Sequence, residues 1–232
     1  MIATIINAAA VIIGSLLGML GRRWITPPIK DTIMLGVGVF TLVIGMDMAI
    51  ESQRFLYLAL SLVLGGVTGT LLKLEDRLYS IGEWVKHRGV SKNERFSEGF
   101  LTASVLFCVG AMSILGALEA GAQGSYEILL TKSVLDGSMA ILLAAAMGFG
   151  VALSAVTIIS YQGLLTLLAG TISPFLNELM LSELSAVGGA LIVMIGLTLS
   201  GLKKVETGNF LPALFFAVGF AAWDPLYMLF ST

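Results

Sequence analysis

Apolar residues run along this chain in long blocks with little or no charge, at 2–21, 32–50, 55–72, 99–118, 137–177, 184–202 and 207–230. A helix needs about 20 residues at 1.5 Å each to cross the hydrocarbon of a membrane. Six of the blocks therefore predict one spanning helix apiece. The block 137–177 is too long: as a single helix it would reach about 60 Å, a twofold excess that tilt does not absorb. It predicts two helices and a turn, with candidate turn positions at Gly148 to Gly150, at Ser154 and at "SYQG" (160–163). Unpaired backbone at membrane depth is tolerated only when buried in protein or lining a wet cavity. The turn is thus either a tight connection at the interface or a functional break. The pattern predicts an all-α integral membrane protein, a single polytopic domain over 1–232 with about eight transmembrane helices.

Composition agrees. The chain is 57% hydrophobic and 12% charged, against about 25% charged in soluble domains, and its mean hydropathy is +0.96. Net charge is −2, and no basic patch is interleaved with aromatics, so no nucleic-acid partner is expected. The single cysteine, Cys108, rules out an internal disulfide framework, and the single histidine, His87, lies in a charged loop. There is no HExxH, no histidine in a span and no nucleophile beside a base. No enzyme, cofactor or metal site is expected. The start of the chain has no Lys or Arg ahead of its apolar core, so it reads as a retained first span rather than a cleaved signal.

Basic residues orient the spans, because Lys and Arg accumulate on the cytoplasmic side. With eight spans and both termini outside, Arg22, Arg23, Lys30, Lys73, Arg77, Lys86, Arg88, Lys92, Arg95, Lys203 and Lys204 fall inside, which is eleven of the thirteen. Only Arg54 and Lys132 fall outside. Reading 137–177 as one span would move Lys203 and Lys204 outside and weaken that bias. The longest polar stretch, about 74–98, carries Leu74, Leu78, Ile81 and Val85 at helical spacing with Trp84 beside them. It predicts a cytoplasmic amphipathic helix lying on the inner leaflet.

Two pairs of segments echo one another. "GSLLGMLG" (14–21) is similar to "GLLTLLAG" (163–170), and "GVFTLVIG" (38–45) to "GALIVMIG" (189–196), with glycines seven apart in each. An offset of five spans makes the two units opposite in orientation. They are read as inverted three-helix repeats, spans 1–3 (about 1–74) and 6–8 (about 155–232), around a central helical hairpin (about 99–154). Such repeats are a hallmark of secondary transporters. Small residues in "GSLLG" (14–18) and "GGVTG" (65–69) allow close helix approach, within the bundle or in a homodimer.

Ionisable and amide groups inside a membrane face the protein interior or a wet cavity. Asn7 lies a third of the way into span 1, as a packing clamp or a solute ligand. Asp47 and Asp224 read as solvated charges at span ends, and Asn209, ahead of Pro212, as the cap of span 8. Glu119 closes span 4 among Gly116, Gly121 and Gly124. In "TKSVLDGS" (131–138), Asp136 either caps a helix that starts at Gly137, pairs with Lys132 beside an access path, or sits in an exposed loop.

"INAAAVIIGSLLG" (6–18), "LFCVGAMSILGALEAG" (106–121), "LLTKSVLDG" (129–137), "YQGLLTLLAG" (161–170), "SAVGGALIVMIGL" (185–197) and "GNFLPALF" (208–215) together resemble, in order and over nearly the whole chain, the YdfK/YqgA-like bacterial membrane family, domain of unknown function 554. The chain departs at Ser125, where relatives often carry Asp. The resemblance implies a multi-pass protein of the bacterial cytoplasmic (inner) membrane, regarded as a transporter with no established substrate. It maps the family's polar positions onto Asn7, Glu119, Lys132, Asp136, Gln162 and Asn209, which are the candidate binding residues. The expected function is alternating-access transport of a small polar or ionic solute. The alternatives are a non-transporting scaffold or accessory subunit, and a channel. Membrane lipid is the expected surrounding partner.

Overall fold

A computed structural model describes residues 1–85, 95–109 and 111–224. These residues fold as ten α-helices with no strand: α1 (Ile2–Gly21), α2 (Pro27–Ile50), α3 (Phe55–Leu71), α4 (Leu74–Val85), α5 (Phe96–Cys108), α6 (Ala111–Ala122), α7 (Glu127–Met147), α8 (Gly150–Ile172), α9 (Glu178–Leu199) and α10 (Ala213–Trp223). Five of them, α1, α2, α7, α8 and α9, are each long and apolar enough to cross a membrane. Two bent pairs raise the number to seven at most: α3 with the start of α4, bent by 58°, and α5 with α6, bent by 57°. The last apolar segment, Thr207–Trp223, is shorter than a span. It opens in a 3-10 turn (Thr207–Phe210) ahead of Pro212, so the eighth expected crossing is the one that length alone does not support.

Local chemistry sets the helix ends. Pro27 and Pro28 occupy the first turn of α2, where their missing N–H groups cost nothing. Asn177 caps α9 by accepting from Met180 N at 2.8 Å. The turn expected inside 137–177 falls between α7 and α8, at Gly148, whose φ of 86° and ψ of −152° suit only glycine. The helix then continues through 160–163 without interruption, which removes "SYQG" as a break. The discontinuity lies instead within span 4. There α5 stops at Cys108 and Val109 turns extended; Ser113 Oγ donates to the carbonyl of Phe107 at 2.9 Å, satisfying one acceptor that the lost helical turn leaves open.

α7 and α8 form the centre of the bundle, with Ala140, Leu143, Ala144, Met147, Val151, Ala155 and Ile158 buried. Ile13, Leu17, Val43, Val63 and Leu167 face outward, as lipid-facing residues do. α1 runs parallel to α7 at very short range: a Cβ at Gly14 would lie 2.2 Å from the Gly137 carbonyl oxygen, and one at Gly18 2.1 Å from that of Ile141. The small residues of 14–18 therefore serve packing within the chain. Those of 65–69 do the same, with Gly65 against Ala213 and Gly69 against Asn209. α2 and α9 pack antiparallel, and the echoing stretches 38–45 and 189–196 lie directly on each other. A Cβ at Gly45 would meet Gly189 O at 2.7 Å, and one at Gly189 would meet Gly45 O at 2.6 Å.

At the Gly148 end of the bundle, Lys73 takes a positive φ of 51° and turns the chain out of α3 into α4. α4 forms where the amphipathic helix was expected. The side chains of Ile81, Trp84 and Val85, and the stretch 86–94 with His87, lie outside the described residues, as does Pro225.

Candidate functional site

α7 starts at Glu127, well ahead of the expected helix start at 137, with an acidic residue in its first turn where the helix dipole favours it. Lys132 and Asp136 are consequently interior helical residues on one face. Asp136 neither caps a helix nor sits in a loop. Both residues are almost fully buried, at 6% and 7% exposed, and Lys132 Nζ donates directly to Asp136 Oδ2. Two buried charges are tolerable only when paired and hydrogen-bonded, because each alone would cost several kcal/mol.

The remaining bonds come from α1 and α8. Asn7 Nδ2 donates to Asp136 Oδ2 at 3.0 Å and to Gln162 Oε1 at 3.1 Å. Gln162 Nε2 reaches Thr4 Oγ1 at 3.4 Å. Thr166 Oγ1 lies 3.5 Å from Thr4 Oγ1 and donates to the Gln162 carbonyl at 2.8 Å. Asn7, Gln162, Thr4 and Thr166 are all buried. The parallel α1–α7 contact makes this possible: with glycine at 14, 18 and 137, the backbones approach closely enough for a short amide on α1 to reach a carboxylate on α7. One acceptor, Asn7 Oδ1, is buried without a partner, and Lys132 has donors left beyond the one given to Asp136. A polar molecule that both donates and accepts can meet those two demands together. Among the described residues no three of His, Cys, Asp or Glu gather as metal ligands.

Four of the six expected site residues, Asn7, Lys132, Asp136 and Gln162, thus meet in one network. The other two do not join it. Glu119 is half-buried at the far end of α6, where its backbone carbonyl accepts from Gln123 N. Asn209 lies at the opposite end of the bundle, in the 3-10 turn. It is a cap, but of α4 rather than of the last span: its Oδ1 accepts from Glu75 N at 3.0 Å, while Glu75 Oε2 accepts from Gly208 N at 2.7 Å. Asp224 is not merely solvated either. It accepts from Tyr57 Oη at 2.6 Å and sits 3.8 Å from the Arg54 guanidinium.

Glu183 was not expected at all. It lies within α9, fully buried, accepting from Ser52 Oγ and from Arg54 N at 2.8 Å. An apolar block starting at 184 hides it by assigning it to a loop. The available signal was Asn177 six residues upstream, a helix-capping residue that moves the start of the helix ahead of Glu183.

The chain matches the family model described as protein of unknown function (DUF554) over residues 2–222. It is 34% identical over 220 residues to the uncharacterized membrane protein YdfK of Bacillus subtilis (strain 168), covering 92% of this chain and 93% of that one. It is 30% identical over 228 residues to the uncharacterized protein YqgA of Escherichia coli (strain K12), covering 96% and 97% respectively. No solved structure matches it. With a helical bundle of several apolar spans and a family match along nearly its full length, this chain is a multi-pass membrane protein that belongs to the DUF554 family.

Proposed function

We propose that the protein is a secondary transporter of a small polar solute in the bacterial cytoplasmic membrane, with its N-terminus outside, and that Lys132, Asp136, Asn7 and Gln162 bind the solute. One observation carries the reading: an ion pair and two amides, all buried, are brought from three helices to one place well inside the apolar part of the chain. Membrane proteins place ionisable groups in such positions for solute or proton pathways. The pair is net neutral, so cargo that leaves no uncompensated charge behind is itself neutral overall, as a zwitterion or an uncharged polar molecule is.

Two further features support alternating access. α1 packs on α8, α2 on α9 and α3 on α10, the contacts expected if 1–74 and 155–232 are paired repeats. A broken helix within the bundle, α5–α6, is also a recurring element of transporter sites. A scaffold is the second reading, favoured by the near-complete burial of the pair.

Uptake of labelled zwitterionic and uncharged polar solutes into proteoliposomes separates the two. Transport by the wild type that falls at least about tenfold in Lys132→Ala and Asp136→Ala, the loss of about 1.4 kcal/mol or more of binding, is the expected result. Equal uptake by wild type and both variants would overturn the assignment.

A further inference from the structure

A cavity of about 170 Å³ lies at the Gly148 end of the bundle. Its lining includes Glu98, Thr102 and Val105 of α5, Thr198 of α9, and Lys204. Glu98, Leu101, Thr102 and Val105 follow one another at i, i+3, i+4 and i+7, so the cavity climbs a single face of α5. Four residues further, about 6 Å along the axis, α5 has ended and Val109 is extended.

The register of this broken span against α7 fixes the depth of that point. Gly99 packs on Met147, and Gly116 packs on Leu129. These two contacts bracket Val109 between the levels of Met147 and Leu129, the stretch of α7 that contains Asp136. The thiol of Cys108 lies close enough to feel the charges of both Lys132 and Asp136. Along α5, the apolar residues Val105, Cys108 and Val109, each 5–6% exposed, follow the cavity toward the pair.

We propose that this face of α5 is the solute's path between the Gly148 end of the protein and the Lys132–Asp136 pair, with Val105, Cys108 and Val109 as the layer that closes it. The proposal rests on the transport reading. The charges of Glu75, Glu98 and Lys204 and the hydroxyls of Thr102 and Thr198 in its lining suit a hydrated polar solute. The break in the helix offers the closing layer a hinge, because the residues on either side of it belong to separate helices bent by 57°.

The chain's single cysteine makes the test direct. The full chain, purified and reconstituted, is treated with a membrane-impermeant maleimide. In a Cys108→Ser background, Thr102→Cys is expected to react within about tenfold of the rate of Lys203→Cys in an aqueous loop, and far faster than Leu167→Cys on the lipid-facing surface. Native Cys108 is expected to react more slowly than Thr102→Cys, and Thr102→Trp, which fills the cavity, to slow Cys108 at least about tenfold further. Thr198→Cys reads the opposite wall of the same cavity should Thr102→Cys fail to fold. Labelling at 102 and 198 no faster than at 167 would overturn the path. If the path labels as expected while Lys132→Ala and Asp136→Ala leave uptake unchanged, the transport reading fails and the wet cavity stands. If uptake needs the pair but 102 and 198 are inert, the path fails and the transport reading stands.

Discussion

Asp136 and Glu183 are both acids withdrawn from solvent, at 7% and 0% exposed, yet their surroundings differ in kind. Glu183 is held by a hydroxyl and a backbone N–H, from Ser52 and Arg54, and forms no ion pair among the described residues. Those donors belong to the short connection between α2 and α3, so the carboxylate clamps that turn onto α9. Asp136 is held by the ends of two side chains, Lys132 and Asn7, and Asn7 is shared in turn with Gln162. Side-chain donors can rotate away and be replaced, whereas a backbone N–H in a turn cannot. A buried acid alone therefore does not mark a site. The nature of its partners does.

This contrast can be broken by substitution, and the largest effect is expected at Asp136. Asp136→Ala leaves the Lys132 ammonium buried and unpaired and should cost about 3–5 kcal/mol, read as a lower melting temperature of the purified protein. Replacing both, Lys132→Met with Asp136→Leu, should recover most of that loss, because buried ion pairs often add little net stability over apolar residues of similar volume. A double variant that melts as low as the single one would show that packing rather than charge is responsible. Glu183→Ala should have a smaller effect, about 1–3 kcal/mol, from the Ser52 hydroxyl and Arg54 N–H it leaves without an acceptor. Faster proteolysis at residues 51–54 would accompany it, and unchanged proteolysis would argue against the clamp. The smallest effect belongs to Arg54→Ala. Its ion pair with Asp224 is long and partly solvated, worth under about 1 kcal/mol and less in high salt. A loss that salt does not diminish would mean that Arg54 acts by packing.

The sequence made the spans legible because lipid imposes a length on apolar helices that few other environments impose. It misplaced their ends where charges compensate one another. Lys132 and Asp136 looked like a boundary because hydropathy counts each separately, while the folded helix holds them as one neutral pair. The break at Val109 left no trace in hydropathy, since "LFCVGAMSIL" is apolar on both sides of it. Asn7 was found because an amide deep in an apolar run needs a partner wherever the run is buried, and Gln162 through the candidate turn at 160–163 and the family resemblance. Asn209 shares that chemistry but lies at a helix end, where a cap meets the same need. Glu119 was suggested by its glycine neighbours and by the family resemblance, and neither of those says which way a side chain points.

The glycine seam between α2 and α9 has a mechanical consequence. Where Gly45 faces Gly189 and Gly196 lies close to Gly38, backbone rests close on backbone, and Leu42, Met48 and Val193 pack against the opposing glycines. Interlocked helices resist sliding because every knob must leave its hole. Leu42 over Gly196 and Val193 over Gly45 are such knobs, so the seam holds α2 and α9 in one register. A single methyl at Gly45, which would sit 2.6 Å from Val193 N, would act as a wedge that forces the two helices apart.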